Sequence, residues 1–173
     1  MLDSIMKRHF LILIIGFAIL NLFSCSTNEK KVWVLDFEHV LTPAQITSLD
    51  SMYKAHEKIT TNEIALVTIP EYGTDSTLER FALNFGNKYG IGKKEKNNGV
   101  LIVFTNAIRQ TRISTGYGTE KVLKDEIAKK IIDSVMIPYF KNDRIFEGLW
   151  EGSKAITTFL EKPENKIMAL KNK

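Results

Sequence analysis

The N-terminal segment constrains this chain most, because it is predicted to take no part in the mature fold. Two basic residues, Lys7 and Arg8, precede an apolar stretch over 10–20, and Cys25 follows soon after it. Positive charge holds such a start on the cytoplasmic side of a membrane, and the stretch is short for a permanent spanning helix, which needs about 20 residues. We therefore predict that residues 1–24 are a lipoprotein signal peptide.

Cys25 is the only cysteine in the sequence. An aliphatic residue, Leu22, lies three positions before it and Ser24 directly before it, which resembles a bacterial lipobox. A single cysteine cannot form an internal disulfide. Acylation of its thiol explains both its position and the absence of a second cysteine from the sequence. The alternative is an incidental cysteine beside an uncleaved signal anchor. We predict lipidation at Cys25, with residues 25–31 as a polar tether.

This interpretation has consequences for localisation. Two or more acyl chains give stable anchoring, so the membrane is the first predicted partner. The chain is expected in the bacterial cell envelope, outside the cytoplasm. No acidic residue directly follows Cys25, which favours the outer membrane where that sorting rule operates.

The full sequence of 173 residues is 44% hydrophobic and 25% charged. This composition predicts one globular domain after the N-terminal segment. The formal charge of +4 comes from 24 basic and 20 acidic residues that are scattered along the chain. No arginine-rich block occurs, so nucleic acid is not expected as a partner. We assign the domain to residues 32–161, and residues 162–173 form a basic tail.

Apolar periodicity and capping signals alternate strands with helices, which predicts an α/β fold. Thr42, Pro43 and Gln45 have the spacing of a helix start with a capping box. The predicted strands are 32–35, 63–69, 99–105 and 109–115, and the predicted helices are 43–58, one that opens at Asp75 and Ser76, 120–140 and 143–160.

Standard catalytic signatures are absent from this sequence, including a nucleophile elbow, a zinc-binding H-E-x-x-H and a P-loop. His39 and His56 are expected on the surface. Oxygen-bearing side chains instead lie at predicted strand ends and loops, and such groups suit calcium. Each also has a structural alternative as a turn former or helix cap. The candidates are Asp36, Asn97, Asn98, Glu120, Asp125 and Asp143.

Several short motifs together resemble the TPM domain, which is shared by thylakoid lumen proteins, bacterial exported proteins and an animal receptor accessory protein. The resemblance runs from about Val32 to Leu160. Thr119 stands where that family usually has leucine, and Lys124 where it usually has threonine. The motifs are Gly90-Ile-Gly92, Asn97-Asn-Gly-Val-Leu-Ile-Val103, Arg109-x-x-Arg112-Ile113, Gly116-Tyr-Gly-Thr-Glu120, Leu123-Lys-Asp125, Pro138-x-Phe140 and Gly148-x-x-x-Gly152.

The resemblance implies a three-layer α/β/α sandwich with a small central mixed sheet. It also implies calcium binding, known in some members, and the acid phosphatase activity proposed for a plant member. By position in the motifs, the metal ligands would be Asp36, Asn98, Glu120 and Asp125.

Two functions follow as hypotheses. The first is a non-enzymatic, membrane-tethered module that binds an envelope protein, with calcium as an additional ligand, and assists assembly or maintenance of an envelope complex. The second is a metal-assisted acid phosphatase, in which Asp36, Glu120 and Asp125 hold the ion while Arg109 or Arg112 neutralises phosphate charge.

Overall fold

The computed structural model of the protein describes Lys31 and residues 33–166. The predicted signal peptide and the lipidation at Cys25 lie outside these residues, as do positions 167–173 of the tail. Within the described part of the chain, no helix is long and apolar enough to cross a membrane.

A four-stranded mixed sheet forms the centre of the domain. Its strands lie in chain order, with β1, β2 and β3 parallel and β4 antiparallel to β3. Every residue of β2 and β3 is buried, as expected for strands that helices cover on both faces. The strands are β1 (Val34–Asp36), β2 (Glu63–Thr68), β3 (Gly99–Thr105) and β4 (Gln110–Thr115).

Two long helices, α1 (Pro43–Thr60) and α6 (Ile145–Glu161), pack together on one face of the sheet. The capping box predicted at the start of α1 is confirmed, because Thr42 and Gln45 each bond the other's backbone N–H. The buried hydroxyls of Tyr53 and Ser153 join the two helices at 2.7 Å.

The opposite face carries α2 (Leu78–Tyr89), which packs against β3 and β4. Its N-cap is Thr77, so the helix begins later than its predicted start at Asp75 and Ser76. Helices on both faces of one mixed sheet confirm the predicted three-layer α/β/α sandwich.

The single helix predicted over 120–140 is wrong at its start, because a break after Glu120 separates α3 (Tyr117–Glu120) from α4 (Asp125–Ile131) and α5 (Ile137–Phe140). A π-helical turn over 132–136 joins α4 to α5, so these two form one continuous helical segment, here called the α4–α5 segment. Pro138 lies in the first turn of α5, where a missing N–H is tolerated, and the wider π turn precedes it.

His56 lies in the core rather than on the predicted surface, with only 1% of its area exposed. Its Nδ1 lies 2.9 Å from Oε1 of Glu161, and its Nε2 lies 3.1 Å from the hydroxyl of Thr60. The ring therefore links the last turn of α1 to the end of α6. Burial lowers the pKa of His56 from its ordinary value of 6.5, although the Glu161 carboxylate opposes that shift.

Acidification is therefore expected to destabilise the domain through His56. The unfolded chain binds a proton near pH 6.5, whereas the folded ring resists it, so stability falls as the pH drops below that value. One such group changes the free energy of unfolding by at most about 1.4 kcal/mol per pH unit. Urea unfolding at pH 7.5 and 5.5 measures this loss in the wild type and in His56→Gln. Equal losses in the two proteins would contradict this role of His56.

Candidate functional site

Asp36 ends β1 and organises the loop that follows it. Its carboxylate accepts the backbone N–H of Val40 at 3.2 Å and of Leu41 at 2.8 Å. It also accepts the hydroxyl of Thr68 from the adjacent strand. These contacts give Asp36 a structural role at the carboxyl end of the parallel strands.

Asn98 is completely buried at the opposite end of these strands. Its Oδ1 accepts the backbone N–H of Lys93 at 2.9 Å. Its Nδ2 donates to the Thr61 carbonyl at 2.8 Å and to Oδ1 of Asn62 at 3.1 Å. The side chain thus ties the loop before β3 to the loop before β2.

The other two predicted ligands lie on the surface. Glu120 is the last residue of α3 and Asp125 the first of α4, and both are exposed. In the described part of the chain, neither carboxylate has an ion-pair partner.

The structure does not bring the four predicted ligands together. Asp36 pairs with Thr68, whereas Asn98 directly precedes Gly99, which pairs with Glu63. Five residues of strand separate these two levels, which is about 16 Å. Among residues 33–166 no cluster of three or more metal-binding side chains occurs. A calcium site made of all four residues does not fit this geometry.

A groove of about 800 Å³ lies beside β4, and its volume is in the range of ligand-binding clefts. The first turn of α2 forms one wall and the α4–α5 segment forms the other. We call it the β4 groove. Its apolar lining includes Phe104, Ile113, Ala128, Ile132, Ile137 and Phe140.

The β4 groove contains three of the residues that the sequence marked for function, namely Arg109, Arg112 and Asp125. Arg112 lies on β4, and its Nη2 donates to Oε1 of Glu79 on α2 at 2.9 Å. Its buried Nε has no hydrogen-bond partner in the described structure. Arg109 was predicted on the strand but lies in the turn before it, with φ at 53°.

The outer edge of β4 is one of the two free edges of the sheet, since no strand among residues 33–166 pairs with it. Gly116 donates its N–H to the Gly99 carbonyl at 2.9 Å, which continues the β3–β4 pairing by one step. Hydrogen-bonded pairs alternate in an antiparallel ladder. Thr111, Ile113 and Thr115 therefore direct their backbone N–H and C=O groups away from β3.

A family model for the TPM domain matches residues 34–159. The chain belongs to the TPM domain family. The N-terminal domain of a protein from P. gingivalis is 34% identical, with a TM-score of 0.70 over 78% of this chain and 85% of that one. A search of curated proteins found no match.

Two more distant solved structures share the fold of this TPM domain. The BA42 protein from Bizionia argentinensis is 20% identical, with a TM-score of 0.61 over 76% of this chain and 96% of that one. The N-terminal domain of cg2496 from Corynebacterium glutamicum is 11% identical, with a TM-score of 0.60 over 79% and 84%.

The two departures from the TPM motifs have structural consequences. Lys124 occupies the N-cap position of α4 and makes no side-chain cap bond, whereas the usual threonine is a good capping residue. Thr119 is completely buried, and its hydroxyl has no hydrogen-bond partner in the described structure. The usual leucine would leave no such group unpaired.

Sequence reasoning missed the apolar lining of the β4 groove. The predicted buried stripe of the 120–140 region contained Leu123, Ile127, Ile131, Val135 and Met136. Ile132 and Ile137 fall outside that stripe and are only partly buried. Apolar residues off the buried stripe of a helix were the available signal for a second apolar surface.

Proposed function

We propose that this TPM domain is an exported, lipid-anchored binding module of the bacterial cell envelope, and that it holds a segment of a partner protein in the β4 groove. The observation that carries the proposal is the groove itself. It combines an apolar lining with charged residues at its rim, as ligand and partner sites do. A scaffold-type role in assembling or maintaining an envelope complex requires no catalytic group.

Photo-cross-linking from neighbouring positions of α4 tests this proposal. Lys129 and Lys130 are consecutive and both exposed, but only Lys129 lines the β4 groove. The full chain carries a benzoylphenylalanine at one position or the other and is irradiated in the bacterium that encodes it. We expect one defined protein adduct from position 129 and none from position 130. Adducts of equal yield from both positions, or from neither, would overturn the proposal.

Acylation of Cys25 is expected to anchor the chain. Metabolic labelling with a clickable palmitate analogue should mark the wild type, and Cys25→Ala should lose the label completely because no other thiol is available. Ser26→Ala serves as the matched control and should keep the label. Label retained by Cys25→Ala, or missing from the wild type, would rule out this anchor.

A phosphatase is the second candidate, because Arg109, Arg112 and Asp125 line one groove. Guanidinium groups suit phosphate oxygens, and Arg109 has no ion-pair partner among residues 33–166. Hydrolysis of p-nitrophenyl phosphate at acid pH, with and without calcium, tests this role. Activity that Asp125→Asn abolishes would support the enzyme over the binding module.

A further inference from the structure

We propose that β4 receives an extended segment of the partner as an added antiparallel strand. The inference rests on the proposed function, because it specifies how the β4 groove holds its partner. An exposed sheet edge pairs readily with another chain, and main-chain hydrogen bonds then supply affinity while side-chain pockets supply specificity.

The backbone of β4 offers the hydrogen bonds for such a strand. Its outward groups belong to Thr111, Ile113 and Thr115, as the ladder pairing requires. The β2 side of the sheet agrees, because the Phe104 carbonyl accepts the N–H of Ile69 at 3.0 Å and so points away from β4. Thr111 is the β4 partner of Phe104, so its backbone N–H and C=O groups point away from β3.

The walls of the groove set the side-chain pattern of the added strand. Ile113 lies on the sheet face that the α4–α5 segment covers, together with Ile102 and Phe104. Residues of the added strand directly opposite Ile113 and Thr111 would point to that same face and meet Ile132 and Ile137. The intervening residues would face the Arg112–Glu79 ion pair on the α2 side. The segment should therefore alternate apolar and polar residues.

Unpaired charges at the two ends of the groove set the charge pattern of the added strand. β4 starts at the hairpin, beside Arg109, and the α4–α5 segment returns to this end because Phe140 packs on Phe104 with ring centres 4.8 Å apart. Lys141 follows Phe140 and also lines the groove, whereas Asp125 starts α4 at the far end. Arg109, Lys141 and Asp125 have no ion-pair partner among residues 33–166. An antiparallel segment would therefore carry its basic end near Asp125 and its acidic C-terminal end near Arg109 and Lys141.

Two capped peptides of identical composition test this assignment. The forward peptide is acetyl-KTITVTE-amide, and the reversed peptide is acetyl-ETVTITK-amide. With its isoleucine opposite Ile113, the forward peptide places valine opposite Thr111, glutamate opposite Arg109 and lysine opposite Thr115. Fluorescence anisotropy with the purified full chain should show the forward peptide binding at least about fivefold more tightly than the reversed one.

Two substitutions at one position isolate the backbone hydrogen bond. Thr111→Pro removes an outward N–H that β3 does not use, and an edge strand tolerates proline at such a position. Thr111→Val is the matched control, because both changes lose the hydroxyl bond to the Val103 carbonyl and only proline loses the N–H. We expect Thr111→Pro to bind the forward peptide about fivefold more weakly than Thr111→Val. Thermal unfolding confirms that both variants are folded.

The outcomes separate this inference from the proposed function. Equal binding by Thr111→Pro and Thr111→Val would overturn strand addition, even if cross-links from position 129 still placed a partner in the groove. A forward peptide that binds no better than the reversed one, or does not bind, would overturn the assigned direction and charge pattern. If cross-linking from position 129 fails as well, the groove is not the binding surface and the proposed function fails with the inference.

Discussion

Asn98→Asp is expected to lower the free energy of unfolding by about 3 to 5 kcal/mol. Asn98 is fully buried, and its Nδ2 donates to the Thr61 carbonyl and to Oδ1 of Asn62. A carboxylate has no proton to donate to either oxygen, and it places a charge in the core. Urea unfolding followed by circular dichroism measures the loss.

The matched control is Asn142→Asp, the same chemical change on the surface. Asn142 is exposed, and its Nδ2 donates to the Pro138 carbonyl, so the expected loss is below about 1 kcal/mol. Repeating both measurements with calcium separates a structural amide from a metal ligand. An Asn98→Asp variant of normal stability that calcium stabilises further would show that Asn98 is a metal ligand after all.

Gly118→Ala is expected to cost about 3 kcal/mol or more. A Cβ at this position would overlap the Lys96 carbonyl oxygen and crowd that of Asn97. Both obstacles are backbone atoms, and the Gly118 N–H is bonded to the Asn97 carbonyl at 2.9 Å, so neither segment can move aside cheaply. Thermal and urea unfolding should show the loss.

Gly86→Ala provides a control of opposite sign. Gly86 lies inside α2, and a Cβ there would meet no atom within 4 Å. Alanine is the better helix former, so this change should stabilise the domain by about 0.5 to 1 kcal/mol. Similar losses of stability in the two variants would mean that the close backbone approach is not the reason why glycine is needed at position 118.

Local sequence signals predicted most of the fold, because the observed strands and helices lie close to the residues that those signals marked. The buried run of β3 begins and ends at its predicted residues, Gly99 and Thr105. The N-cap at Thr42 holds α1 where its capping box placed it. The break after Glu120 could not be predicted in the same way, since Lys121, Leu123 and Lys124 are each good helix formers. It depends on the backbone packing of Gly118 against the loop before β3, which is a tertiary contact.

The candidate site was harder to predict for the same reason. The sequence marked Asp36 and Asn98 by residue type, but their hydrogen bonds to backbone and neighbouring side chains became evident only in the fold. Arg112 and Asp125, which the sequence marked for separate roles, line the same groove. Their grouping depends on how the α4–α5 segment returns beside β4, and no local pattern encodes that path.

Strand addition in the β4 groove requires that the outer edge of β4 be open to a partner. Amide hydrogen exchange by NMR on the purified full chain measures this without knowledge of the partner. The backbone amides of Arg112 and Ser114 donate to β3, whereas those of Thr111 and Thr115 point away from β3. We predict that the two outward amides exchange at least about tenfold faster than the two inward ones. Equal protection of all four would mean that the edge is already covered, and it would contradict a partner bound in the β4 groove.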